Sequence, residues 1–170
     1  SFPTLHASLH ENSWLSSAHA IKTTDTVAKG VTKSIMLGDK PVKITGIAKG
    51  SGMIRPDMAT MLAFVGTDIG INQGLLDEVL ENTVAQSFNR ICVDGDTSTN
   101  DACVLMATGK SDVHIIDKKD PLLLQFQNEL DLIFVELAQS IVRDGEGATK
   151  FVSVVVKGGS SNRLCRDVAY

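Results

Sequence analysis

Ala59 and Thr60 sit inside the stretch KGSGMIRPDMATMLAFVGTD, Lys49 to Asp68, and the pair raises a question of chemistry. A threonine hydroxyl is a weak nucleophile until a base takes its proton. One way to supply that base is to make the threonine N-terminal, because its own α-amine then lies beside Oγ. An unperturbed α-amine has a pKa of about 7.7–8.0, close to working pH, where general-base catalysis is efficient. An internal threonine reaches this state only if the bond before it is cut. The Thr60 hydroxyl would attack the Ala59 carbonyl through a five-membered ring, turning an amide into an ester that water then hydrolyses. Ala59 is small and leaves its carbonyl approachable. Pro56 fixes its own φ and restricts Arg55, while Gly50 and Gly52 permit tight backbone. The other reading of the same residues is a glycine–proline turn before a strand.

Other motifs fail on their spacing. ATGKS, Ala107 to Ser111, resembles the end of a phosphate-binding loop, but Val104 stands where that loop needs its first glycine. Gly50 and Gly52 lack the third glycine of a dinucleotide fingerprint, which would fall at Arg55. DGDTSTND, from Asp94, has Thr99 and Leu105 where a calcium loop needs Gly and Glu. His6 and His10 have helical i, i+4 spacing without an acidic or Cys partner, and read as surface histidines. No metal site is expected. Cys92, Cys103 and Cys165 make no CxxC pair and read as small buried hydrophobes in a reducing, cytoplasmic setting.

The elements that must position these residues belong to an α/β or layered α+β class. The chain has 170 residues, 43% hydrophobic and 21% charged, enough for one domain with a core. A net charge of -4 and scattered basic residues argue against nucleic acid or a membrane surface as partner. No apolar run is long enough to span a membrane, and the N-terminal residues carry no signal-peptide pattern. Residues 5–20 are expected to form a first helix. Thr32 to Gly50 reads as a hairpin turning at Gly38-Asp39, with Val42, Ile44 and Gly46 on one face. TMLAFVGTD reads as a buried strand closed by Gly66.

A helical stripe follows: Ile71, Leu75, Leu76, Val79, Leu80, Val84 and Phe88. RICVDG, from Arg90, is expected to be a strand, and ACVLMATG a short apolar element of either type. Asp120-Pro121 opens a helix whose buried face is Leu123, Phe126, Leu130, Phe134, Leu137 and Ile141, with Gly145 as its stop. KFVSVVV, from Lys150, is expected to be a final strand, and Asn162 to Tyr170 another helix.

Four stretches in order carry a resemblance: TTDT (Thr23–Thr26), GIAKGSGMIRPDMATMLAFVGTD (Gly46–Asp68), FNRICVDGDTSTNDACVLMATG (Phe88–Gly109) and RDGEGATKFVSVVV (Arg143–Val156). Together they resemble the bifunctional ornithine acetyltransferase family, also called glutamate N-acetyltransferase, of arginine biosynthesis. The resemblance covers nearly the whole chain. It implies the family's self-processing, N-terminal-threonine-nucleophile fold and cleavage between Ala59 and Thr60. Residues 1–59 would be the C-terminal part of the α-chain region, and 60–170 the N-terminal part of the β-chain region, in one compact unit. Thr60 would then be the nucleophile, taking acetyl from N-acetylornithine as an ester and passing it to glutamate.

The resemblance also implies that Thr23, Lys49 and Glu146 bind substrate together with Thr60. Lys49 suits an α-carboxylate, Glu146 the ornithine amine, and Thr23 a neutral hydrogen bond. Their other readings are a solvated lysine, a helix-end acid and a turn residue. Asp94, Asp96, Asn100 and Asp101 read as a hydrogen-bonded turn supporting the site, with a direct catalytic role as the alternative. No cofactor is implied, although acetyl-CoA is an alternative donor in some members. The processed α and β chains are expected to associate as a hetero-oligomer.

Two departures stand out. Asp57 replaces the family's usual Asn. The family's Thr-Gly oxyanion pair also lies upstream of anything matched here, with further Asn and Ser binding residues beyond Tyr170. The chain is therefore expected to be the central portion of a longer polypeptide, with weak or no acetyl transfer of its own. Losing an oxyanion donor lowers rates by about 10²–10³. A related self-processing amidase or aminopeptidase, and a non-catalytic fragment, are the alternative readings.

Overall fold

Gly38 and Asp39 make the tight turn that starts the sheet, with Gly38 in the left-handed region at φ 64°. In the computed structural model, which describes residues 2–55, 61–96 and 100–170, this turn joins β1 (Lys29–Leu37) to β2 (Lys40–Lys49). The two strands pair antiparallel from Lys29↔Ala48 to Leu37↔Lys40. β3 (Leu62–Thr67) runs antiparallel to β2, from Lys49↔Leu62 to Ile44↔Thr67. β5 (Ala102–Ala107) lies parallel to β3 in the register Leu62↔Ala102. The sheet order is thus β1-β2-β3-β5. A parallel neighbour needs a crossover, and α3 (Gln73–Gln86) is part of it. A small parallel ladder of β4 (Gly70–Ile71) and β6 (His114–Ile115), which the periodicity does not suggest, lies beside it.

Helices cover both faces of the sheet. α4 (Pro121–Arg143) begins as its sequence predicts: the Asp120 carboxylate accepts from the Leu122 N–H at 2.9 Å, and Pro121 opens the helix. Phe126, Leu130, Ile133, Phe134, Leu137, Ala138 and Ile141 are its buried residues, while Leu123 packs at the core's edge. This face meets Val42, Ile44, Ala48, Ala63 and Val65 of the sheet and Leu75, Leu76 and Val79 of α3. Phe134 also packs its ring on Phe88 at 5.5 Å. α3 is capped by Asn72, whose side chain accepts from the Leu75 N–H. Ile71 and Phe88, expected in that helix, belong instead to β4 and to a short 3-10 turn, Phe88–Arg90.

The opposite sheet face takes α2 (Trp14–Ala20), whose Trp14 ring lies over Gly66. A Cβ on Gly66 would meet that ring at 3.2 Å. Gly66 is therefore not the end of β3, as expected, but a place inside it where an indole approaches the backbone.

Four further expectations are corrected. The first helix is two helices, α1 (Phe2–Ala7) and α2, because the polar His10–Ser13 segment turns: the Ser13 N–H bonds to the His10 carbonyl and the Asn12 N–H to His10 Nδ1. RICVDG is not a strand. Its Val93 N–H bonds to the Ile54 carbonyl at 2.8 Å, and Asp94 turns its side chain back on the preceding loop instead of continuing a ladder. KFVSVVV joins no described ladder, and Val152, Val154 and Val155 are exposed. Strand propensity is realised only against a neighbour. Cys92 is exposed rather than buried; Cys103 and Cys165 are half-buried, and burial pushes the Cys103 thiol up to about 12. α5 (Asn162–Ala169) forms as expected, capped by Ser161. Among the described residues no helix is long and apolar enough to cross a membrane.

Phe134→Ala should lower folding stability by about 3–5 kcal/mol, the usual cost of emptying a buried aromatic site. Val154→Ala, on the exposed tail, should stay within about 0.5 kcal/mol. Chemical denaturation of both variants checks the pair.

Candidate functional site

β2 ends at Lys49, and the next residues, Gly50 to Ile54, form a loop to which three distant segments are tied. Asp25 holds its start: Oδ1 accepts from the Gly50 N–H at 2.7 Å and from Lys29 Nζ at 2.6 Å, and Oδ2 accepts from the Thr23 N–H at 3.2 Å. Lys29 also donates to Asp144 Oδ2 at 2.5 Å. Asp144 in turn accepts from the Thr26 N–H at 3.0 Å and from the Thr26 hydroxyl. The Lys29 and Asp25 side chains are 1% and 0% exposed and that of Asp144 is 7% exposed. The charges are thus almost wholly out of water and depend on one another.

The middle of the loop bonds to the end of α4. Ser51 Oγ donates to the Asp144 carbonyl at 2.7 Å, and the Glu146 N–H donates to the Ser51 carbonyl at 2.6 Å. The Glu146 carboxylate lies over Gly52, where a Cβ would stand 3.0 Å from Oε2 and 3.5 Å from Asp94 Oδ2. Asp94 holds the far end of the loop. Its carboxylate accepts from the N–H groups of Met53 at 2.5 Å, Ile54 at 3.1 Å and Asp96 at 3.1 Å. Met53 needs such a hold, because it is a non-glycine residue at φ 53°.

These bonds set the charge states. Burial opposes ionisation of Asp25, but the Lys29 hydrogen bond, the Gly50 and Thr23 N–H groups and the Lys29 charge outweigh it and hold the carboxyl below its usual range. Asp144 is lowered in the same way: Lys29 and Thr26 overcome its burial. Asp94 is lowered because backbone N–H donors outweigh burial. Asp101 goes the other way. Burial raises its carboxyl despite the Met61 N–H and the charge of Lys49.

The structure therefore ties the backbones of Thr23, Lys49 and Glu146 to one loop. Thr23 is exposed and bonded through its N–H to Asp25. Lys49 precedes Gly50 and is 7% exposed, and among the described residues its ammonium has no hydrogen-bond acceptor. Glu146 is exposed and follows the clamp residue Asp144 closely. Asp57, Ala59 and Thr60 lie outside the described residues, as do Thr97 to Thr99. Just past Thr60, the Met61 N–H donates to Asp101 Oδ1 at 2.7 Å. Asp94 and Asp101 act as the supports expected of their turn.

Asp25, Lys29, Ser51 and Asp144 build the site without being singled out by any motif. Asp25 and Asp144 stand inside the quoted TTDT and RDGEG stretches, but no spacing rule pairs residues more than a hundred positions apart. The ATGKS loop is no phosphate cradle: its Thr108, Gly109 and Ser111 N–H groups bond to the carbonyls of Thr67, Ile69 and Asp68. His6 and His10 are exposed, and His10 Nδ1 accepts from the Asn12 N–H. A cleft of about 740 Å³ between α2 and the β1–β2 face, lined by Trp14, Thr32, Lys43 and Ile47 among others, includes none of the site residues.

A mixed sheet flanked by helices on both faces places the chain in the α/β class. The chain matches the ArgJ family over residues 1–170 and belongs to it. It is 52% identical over 165 residues to the arginine biosynthesis bifunctional protein ArgJ of Psychrobacter arcticus, covering 96% of this chain and 40% of that protein. With the ArgJ of Methylococcus capsulatus it is 51% identical over 164 residues, again covering 96% and 40%. The chain thus spans about 40% of the length of these curated relatives. The crystal structure of ArgJ from Bacillus halodurans aligns at 46% identity and a TM-score of 0.49, covering 51% of this chain and 41% of that one.

Lys29→Met should destabilise the fold by about 3–5 kcal/mol, because it strands two carboxylates away from water. The sign with pH follows from the lowered carboxyls. Asp25, Asp94 and Asp144 contribute fully above their ordinary value of 3.8 and lose that contribution as pH falls towards their folded values. Asp101, raised in the fold, acts in the opposite sense. Stability should therefore fall on acidification below 3.8, and less steeply in Lys29→Met; denaturation midpoints against pH measure both.

Proposed function

We propose that the full-length protein moves an acetyl group from N-acetylornithine to glutamate through an acetyl ester on Thr60, after cutting itself between Ala59 and Thr60. The observation that carries this reading is the clamped loop. It ties Thr23, Lys49 and Glu146 to the segment leading into Thr60, in a chain of the ArgJ family.

Self-cleavage begins when Thr60 Oγ adds to the Ala59 carbonyl carbon. The C–N bond breaks, and the hydroxyl proton passes to the departing nitrogen. Water hydrolyses the resulting ester, leaving a carboxylate on Ala59 and a free α-amine on Thr60. In each turnover that amine takes the Oγ proton as Oγ attacks the acetyl carbonyl, and returns it to the departing ornithine nitrogen. The glutamate amine then attacks the acetyl-Thr60 ester, and Oγ regains its proton.

Lys49 is nearly buried, and its ammonium suits the substrate's α-carboxylate. The exposed Glu146 carboxylate suits the ornithine side-chain amine, and Thr23 supplies a neutral hydrogen bond. Cutting before β3 would leave its ladder with β2 and the packing of α4 on β1 and β2 in place, so the two pieces would stay associated.

Full-length protein provides the test. Mass spectrometry should find a piece starting at Thr60, and Thr60→Ala should stay intact with transfer at background. After incubation with N-acetylornithine labelled in the acetyl group, the label should reside on Thr60 and leave on addition of glutamate. Label lost equally fast to water would make the protein a hydrolase; label found elsewhere would exclude Thr60 as the carrier. Acetyl-CoA in place of N-acetylornithine tests the alternative donor.

A further inference from the structure

The strand that begins just after Thr60 is held on both sides. Its register with β2 places Leu62 opposite Lys49, and its register with β5 places Leu62 beside Ala102. One residue earlier, both backbone groups of Met61 are taken by the start of β5. The Met61 N–H donates to Asp101 Oδ1 at 2.7 Å, and the Met61 carbonyl accepts from the Ala102 N–H at 3.1 Å.

The first of these bonds stands outside the regular ladder and needs a side chain. The nitrogen it holds is covalently attached to the Thr60 carbonyl carbon. Asp101 is half-buried, so the bond is partly shielded from water, and a carboxylate acceptor makes it stronger than a neutral one.

Intramolecular attack depends steeply on placement: a misplacement of about 1 Å can cost about 10²-fold in rate. The hydroxyl of Thr60 must meet the carbonyl of the residue before it, so freedom in the backbone just after it spreads the hydroxyl over unproductive positions. On the reading that Thr60 is both cleavage site and nucleophile, we propose that Asp101 is a positioning residue for it, acting through the hydrogen bond it accepts from the Met61 N–H.

Asp101 itself touches no reacting atom in this role. It makes β3 start rigidly, so that Thr60 is attached to a fixed point. Asp94 has no part in this, because its oxygens are committed to Met53, Ile54 and Asp96, upstream of the junction.

The experiment follows precursor conversion in full-length protein, with kcat and KM for N-acetylornithine measured on the processed form. Asp101→Ala should slow self-cleavage by about 10–100-fold and lower kcat with KM within about twofold. Asp101→Asn keeps an acceptor oxygen in place and should cleave within about threefold of wild type. Leu105→Ala, a buried β5 residue away from Met61, serves as a variant of comparable destabilisation and should cleave at the wild-type rate below its melting temperature.

Cleavage of Asp101→Ala as fast as that of Leu105→Ala overturns the proposal, as does Asp101→Asn being as slow as Asp101→Ala. If Asp101→Ala does not fold, Asp101→Glu carries the same comparison, since it shifts the acceptor by one methylene and should be slower than Asp101→Asn. If wild-type protein never yields a piece starting at Thr60, the underlying reading fails and this one with it. A normal wild-type cut with an unaffected Asp101→Ala defeats this inference alone.

Discussion

A single lysine ammonium held between two carboxylates away from water is the interaction on which the site depends. Lys29 lies on β1, Asp25 in the turn before it, and Asp144 at the end of α4. Moving any one of these charges into the interior alone would be strongly unfavourable; together, with backbone N–H donors filling the remaining carboxylate oxygens, they are tolerated. Such a clamp is intolerant of slack. If one segment drifts, a charge is left without its partner, so the three segments hold each other in place. The Gly50 N–H on Asp25 and the Ser51 hydroxyl on the Asp144 carbonyl extend that constraint to the loop between β2 and the Ala59-Thr60 junction.

The sheet supplies the second constraint. β3 is an inner strand, with β2 antiparallel on one side and β5 parallel on the other, and its core face is covered by α3 and α4. An inner strand has few ways to shift register, because a one-residue slip would exchange its buried Ala63 and Val65 for the other face. The point just after Thr60 is therefore held by pairing on both sides. The loop ahead of the junction is tied by charge, and the strand behind it by a ladder and by Asp101. The nucleophile proposed at Thr60 would need that kind of support, since rates of intramolecular attack reward fixed placement.

Much of the framework is legible in the residues. The Gly38-Asp39 turn, the alternation of β2, the Asp120-Pro121 start of α4 and its run of Phe126, Leu130, Phe134, Leu137 and Ile141 are local patterns, and they appear as expected. The site is legible in part. Thr23, Lys49 and Glu146 can be singled out by motif, and the structure ties their backbones to a common loop. The charges that do the tying leave no local sign, because Asp25, Lys29 and Asp144 look like ordinary surface residues until folding brings them together. Failures of the strand readings share one cause: RICVDG and KFVSVVV have strand-like composition, but a strand also needs a neighbour to pair with.

By itself the sequence determined the features that depend on near neighbours: caps, turns, the period of each buried face, and the small-residue-then-hydroxyl junction at Ala59-Thr60. These arise from interactions within about one helical turn or one hairpin, so a short window of residues contains their cause. Only the tertiary structure decided which polar groups would lose water together. Burial is a property of the whole assembly, and a lysine 115 positions from a carboxylate becomes its partner only after α4 has packed on the sheet. Desolvation turns that meeting from a weak surface contact into a constraint, and no local pattern of residues can announce it.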